Sequence, residues 1–173
     1  MKRLTLLSLM LLAATASLQA QTLQDVDKQE AALDAAWEKT PLTVRKAFFI
    51  TERPSAFGGY TQRSSDVFKL GEPMLAYFEP VGYGWKGTGN GVFEINLSLD
   101  WIVKTKDGNI MGGRDDVLRF AQQSHAKLKE LMMTLTLNLT GASAGNYTIE
   151  YKLHDLITKK TATVALPFTI AAQ

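Results

Sequence analysis

No cysteine occurs anywhere in the chain, and only two histidines do, His125 and His154. Without thiols there is no disulfide, no thiolate nucleophile and no lipid-modified cysteine. Two histidines alone do not make a standard structural zinc site, and no metal site is expected. Long apolar runs are also missing, apart from Leu4 to Ala14 near the amino terminus. A transmembrane anchor needs roughly 20 apolar residues, and this run is broken by Thr15 and Ser17. Preceded by Lys2 and Arg3 and followed by the small-residue junction Ala20-Gln21, it has the layout of a secretory signal peptide over residues 1–20. Cleavage there predicts a periplasmic or secreted protein with no membrane span.

Excess charge is the next absence. Removing Lys2 and Arg3 from the nineteen basic residues leaves seventeen, against seventeen acidic ones. Nothing in that balance steers the protein to nucleic acid or an anionic surface. Taking 20 residues from 173 leaves 153, enough for one domain with a real core. In an oxidising compartment without cysteine, core packing must supply the stability.

What is present is alternation. Leu131 to Leu139, Tyr147 to Leu153 and Ala162 to Ile170 each place apolar residues on one parity and mostly polar ones on the other. Side chains of a strand alternate with period two, so each run has one face to bury. The connectors Gly141 to Gly145 and Asp155 to Lys160 are short, which predicts an antiparallel meander. Phe93 to Val103 repeats the pattern, with Trp101 on the apolar parity, and Lys106-Asp107-Gly108-Asn109 suits a hairpin turn. Val44 to Thr51 reads as a first strand. Val67 to Pro80 reads as two short strands divided at Gly71-Glu72-Pro73.

Residues 21–41 read as an amphipathic helix, Leu23 to Lys39, with Leu23, Val26, Leu33 and Trp37 in one stripe and Pro41 ending it. The stripe suits either a helix covering the domain or a docking helix anchored by Trp37. Ile110 to Leu128 is the least regular stretch. Asp115-Asp116 suit a helix cap above Val117, Phe120 and Leu128, whereas Leu118 with Phe120 suits a short strand. The reading taken is a short helix or irregular crossing. Residues 42–173 are therefore an all-β, two-sheet antiparallel sandwich.

The second half resembles an immunoglobulin or fibronectin type III module. Ala144-Gly145-Asn146-Tyr147-Thr148-Ile149 resembles a tyrosine corner, with Ile149 where antibody domains carry a cysteine. Trp101 resembles the core tryptophan of strand C, and Lys69 to Pro73 resembles the entry to strand B. The resemblance implies that Trp101, Tyr147 and Ile149 are structural core. More broadly, the chain resembles exported proteins of Gram-negative bacteria, a likeness that brings no activity with it.

Chemistry-bearing patterns are weak. Gly82-Tyr83-Gly84-Trp85-Lys86-Gly87 matches G-x-G-x-x-G, but a strand rather than a helix follows, so no nucleotide or other cofactor is expected. Ser124-His125 near Asp115 or Asp116 suggests a hydrolase only if the fold brings them together. Glu72 and Glu79 are too far apart on one strand for acid/base work. His154, beside Asp155 at a strand end, reads as a surface residue. Tyr60, Tyr83 and Trp85, with Lys86, lie in loops rich in glycine. Amphipathic rings there either plug the sandwich end or bind a partner. The expectation taken is a non-catalytic binding or interaction module. Its partner is an envelope protein, glycan or small ligand held by Tyr60, Tyr83, Trp85 and Lys86. The alternatives are a periplasmic hydrolase built on His125 and a structural or assembly subunit.

Overall fold

The computed structural model describes residues 21–139 and 141–172; the signal-peptide reading of residues 1–20 lies outside them. Among the described residues one helix precedes nine strands: α1 (Leu23–Lys39), β1 (Thr43–Ile50), β2 (Val67–Phe68), β3 (Met74–Val81), β4 (Lys86–Gly89), β5 (Val92–Thr105), β6 (Ile110–Ser124), β7 (Met133–Leu137), β8 (Gly145–Asp155) and β9 (Thr161–Ile170). They form a mostly β, two-sheet sandwich. The smaller sheet has the order β1-β3-β7. The larger runs β2-β9-β8-β5, with β6 along the far edge of β5 and β4 paired only with its first residues.

Alternation decides which side chains meet between the sheets. Leu97 and Leu99 of β5, Ile149, Tyr151 and Leu153 of β8, and Ala76 and Phe78 of β3 are all fully buried. Tyr147 is buried beside them, stacked on Phe168 with ring centroids 5.5 Å apart. Its hydroxyl donates to the Ser143 carbonyl at 2.8 Å, pinning the crossing that enters β8.

Three expectations are corrected. The last three runs are not one meander: β8 and β9 pair, whereas β7 pairs with β3, Leu75 opposite Thr136. The segment between β7 and β8 is long enough to step across the roughly 10 Å between sheets. Ile110 to Ser124 is a strand, not a helix or irregular crossing. The Asp107-Gly108 turn folds the chain straight back, and Leu118 and Phe120 fall opposite Leu99 and Leu97 of β5. Pairing is not wholly antiparallel, because β2 lies parallel to β9, Val67 opposite Thr169.

The helix stripe divides between the two readings given for it. A Thr22–Asp25 capping box starts α1, but Leu23, Val26 and Leu33 remain 74, 47 and 50% exposed. Only Trp37 is buried, so α1 docks by its last turns on the end of the sandwich and leaves the rest of its stripe open. Asp34 fixes that end through Lys129 and Lys127. The hydrogen bond from Lys129 holds the Asp34 carboxyl below the usual range, despite partial desolvation.

Candidate functional site

The glycine-rich loop is built as a plug. Tyr83 is 1% exposed, its hydroxyl donates to the Leu128 carbonyl at 3.0 Å, and its own carbonyl accepts from Trp37 Nε1 at 2.8 Å. Trp85 stacks on Trp37 with centroids 5.5 Å apart and also donates to the Leu128 carbonyl. Lys127 and Lys129 lie over its ring, 5.2 and 5.4 Å from the centroid. Both rings are therefore spent inside the molecule, and Tyr83 in particular is not open to a ligand. The glycines serve close approach, not phosphate binding. A side chain at Gly82 (φ 79°) would strike the carbonyls of Thr40 and Pro41, and one at Gly84 would strike Thr158. Lys86 lies exposed on β4.

Tyr60 is half-buried and also engaged. It packs 4.7 Å from both Phe48 and Tyr77 on the outer face of the small sheet, and its hydroxyl accepts from Lys46. Buried Glu79 belongs to this cluster through Tyr77 and Lys46, while Glu72 pairs with Arg63 across the turn. The two glutamates share no site.

The strand does not bring His125 to Asp115 or Asp116. His125 is exposed just beyond β6, whereas Asp116 sits opposite Asp100, eight residues back from Ser124 along the strand. At about 3.3 Å per residue that is about 26 Å. The aspartates instead form a bulge, where β6 spends four steps from Arg114 to Leu118 against two from Trp101 to Leu99. Asp116 takes a left-handed φ of 52° there, directs its N–H to Asp100 Oδ1 at 2.8 Å, and grips Arg119. This bulge, not a helix cap, is the role of Asp115-Asp116.

Asp100 also meets His154 Nε2 at 2.6 Å, so His154 is half-buried and paired rather than a free surface ring. Burial raises the Asp100 pKa, but the Asp116 N–H, the His154 ring and the charges of His154 and Lys152 outweigh it and leave it below the ordinary carboxylate value. A carboxyl depressed in the folded state stabilises the fold above its unfolded pKa of about 3.9 and loses that contribution as pH falls through its lower folded pKa. Urea midpoints measured between pH 6 and pH 2.5 are expected to decline more steeply for wild type than for Asp100→Asn. Parallel profiles would show that Asp100 is not a source of the acid sensitivity.

The open feature lies on the flank of the sandwich. A cleft of about 370 Å³ is lined by Trp101 and Val103 of β5, Met111 of β6, Leu139 and Ala142 after β7, and Tyr147. Its origin is topological. The large sheet extends to β6, but the small sheet stops at β7, so no described strand covers β6 or the adjoining end of β5. Trp101, on the inward parity, is consequently only half-buried, unlike Tyr147 and Ile149. Met111 is 57% exposed at the rim, next to Ile110 at 65%. The sequence signals for this cleft were the apolar Ile110-Met111 pair beside the turn and the small residues of 141–145; neither reveals where the sheets end.

No protein-family model matches the chain, and no curated protein matches it.

Proposed function

We propose that this protein is an exported, non-catalytic binding module with an immunoglobulin-like sandwich, which takes its ligand in the flank cleft rather than on the loop aromatics. The observation that carries the reading is the cleft itself: an apolar concavity with Trp101 and Tyr147 in its walls and an exposed methionine at its lip. Ligand sites are concave, mostly apolar and supplied with a few polar groups, here the Asn138 side of the wall. The immunoglobulin-like part is supported by the Tyr147–Ser143 bond and by an order in which a short strand runs parallel beside the last one. Export is supported by Lys2, Arg3 and the apolar run that follows them. Envelope proteins, glycans and small ligands are the partner classes open to such a module, and the apolar walls favour a ligand with apolar groups.

Titration with the apolar dye 1-anilinonaphthalene-8-sulfonate tests the cleft. One saturable site is expected, weakened about tenfold by Met111→Asp with an unchanged melting temperature; the exposed Met111 leaves the fold indifferent to the change. Equal binding by the variant would remove the cleft from the proposal. Intact-mass analysis of the protein recovered from the producing cell's envelope tests export. A start near Gln21 is expected, and a chain retaining Met1 would refute it.

A further inference from the structure

The cleft is one end of a longer gap. Strand β7 hydrogen-bonds to β3 on one side and to no strand on the other among the described residues. A strand edge of this kind presents unpaired N–H and C=O groups, which proteins usually guard with charge, proline or a covering loop. Here the edge supplies no guard of its own: from Leu131 to Ile149 the sequence contains no charged residue and no proline, and Arg53 reaches β7 on its outer face, donating to the hydroxyls of Thr134 and Thr136 at 2.9 Å. The side chains facing the gap tell the same story. Trp101, Leu118 and Phe120 from the large sheet, and Leu135 and Leu139 from β7 and its continuation, point inward yet stay half-covered, while Leu97 and Leu99 beside them are fully buried. The connector 125–132 passes the upper end of the gap, where the Leu128 carbonyl holds the plug and Leu131 is buried, so the opening is at the lower end, where the cleft lies.

The geometry points to strand addition: an extended, uncharged peptide segment with alternating apolar side chains pairs with the free edge of β7 and drops those side chains over Leu118, Trp101 and Leu139 into the cleft. This rests on the cleft being the binding site, and it names the ligand class. Three features select that occupant. Only an extended backbone satisfies the edge groups of β7. A partner strand lying about 4.8 Å from β7 would stand over β6, about 10 Å below it, so every second side chain faces the half-covered row. The neutrality of 131–149 offers no partner for a charged segment, and burying an unpaired charge there is costly.

A second copy of the chain is the weaker occupant. Two β7 strands paired antiparallel about Leu135 would set Leu131 of one against Leu139 of the other. Leu131 is 4% exposed and already committed to its own core, so the cleft would stay empty. A free peptide has no such commitment, and five or six residues, about 17–20 Å, span edge and cleft together.

The test uses the protein without residues 1–20 and a fluorescein-labelled, terminally blocked peptide, (Thr-Val)4, followed by anisotropy. A second peptide carries N-methyl groups on alternate residues, which removes the pairing N–H groups but keeps the side chains. Saturable binding of the first is expected, at least tenfold weaker for the N-methylated peptide and for Met111→Asp. Amide exchange at Met133 to Leu137 is expected to slow when it binds. Equal binding of both peptides would overturn strand addition while keeping the cleft as a side-chain pocket. Dye binding without binding of either peptide would overturn strand addition alone, whereas failure of dye and peptides together would remove the cleft as well. Concentration-dependent dimers that exclude the peptide would replace it with self-pairing.

Discussion

Trp37→Ala is expected to lower the unfolding free energy by about 3–5 kcal/mol, the usual cost of truncating a buried large aromatic side chain. Trp37 is 5% exposed and holds three contacts at once: an edge-on ring contact with Tyr83 at 5.1 Å, a stack on Trp85 at 5.5 Å, and the Nε1 hydrogen bond to the Tyr83 carbonyl. Removing it leaves a cavity and orphans a carbonyl in the same place. The effect on α1 should exceed that on the sandwich. The rest of the helix buries almost nothing, and a 17-residue helix in isolation is marginal in water. Denaturant unfolding followed by circular dichroism measures the first part. Hydrogen exchange over Leu23 to Lys39 measures the second, and the whole helix is expected to lose protection. A midpoint shift equivalent to less than 1 kcal/mol would mean that α1 is tethered by Asp34 and Lys160 and not by Trp37.

How far the sequence foretold this molecule depends on which interactions are local. Parity within Phe93–Val103, Tyr147–Leu153 and Ala162–Ile170 correctly placed the faces of β5, β8 and β9, because alternation is a property of each strand by itself. The sheet to which a strand belongs is not. Leu131 to Leu139 has the same pattern whether it pairs with β8 or with β3, and only the crossing at 138–144 sends it to β3. Ile110 to Ser124 was obscured because β6 spends two steps from Ile110 to Gly112 against one in β5, which shifts the parity, and because the inward positions before Leu118 and Phe120 are Gly112 and Arg114, which carry no apolar signal. The helix was legible as an element, but not which part of its stripe would be covered. Its stripe is real, but amphipathicity states what a helix offers and not whether the chain accepts it.

The site followed the same division. Tyr83 and Trp85 stood out because glycines flank them, and the packing account, that they close the end of the sandwich, is the one their geometry supports. The cleft was not legible, because it arises from a strand the small sheet lacks. An absence of that kind leaves no mark on any single segment. Trp101 shows the consequence: assigned to the core by parity, it lies half-exposed at the edge of the missing layer.

Asp155 was passed over as the neighbour of His154, yet Asp155→Ala is expected to cost about 3 kcal/mol. Its carboxylate is 2% exposed and organises the β8–β9 turn. Oδ1 accepts the N–H groups of Ile157 and Thr158 at 2.9 and 3.2 Å, and Oδ2 accepts the Gly84 N–H at 2.7 Å and the Thr158 hydroxyl. That turn places Lys160, whose ammonium donates to the carbonyls of Glu38, Thr40 and Gly82 at 3.2, 2.8 and 3.0 Å. One carboxylate thus links the turn to the glycine-rich loop, and through Lys160 to the carbonyl end of α1, where a cation is favoured. Removing the acceptor leaves up to three backbone donors unpaired, each worth about 1–3 kcal/mol where water cannot reach and little where it can, which sets the total near the lower end. Asp155→Asn separates the contributions. It keeps one acceptor oxygen but turns an NH2 toward donors on the other side, so it should recover less than half of the loss. Chemical denaturation of wild type and the two variants at pH 7 makes the comparison. A loss below 1 kcal/mol for Asp155→Ala would show that the turn holds without its carboxylate, and that the Gly84 contact is incidental.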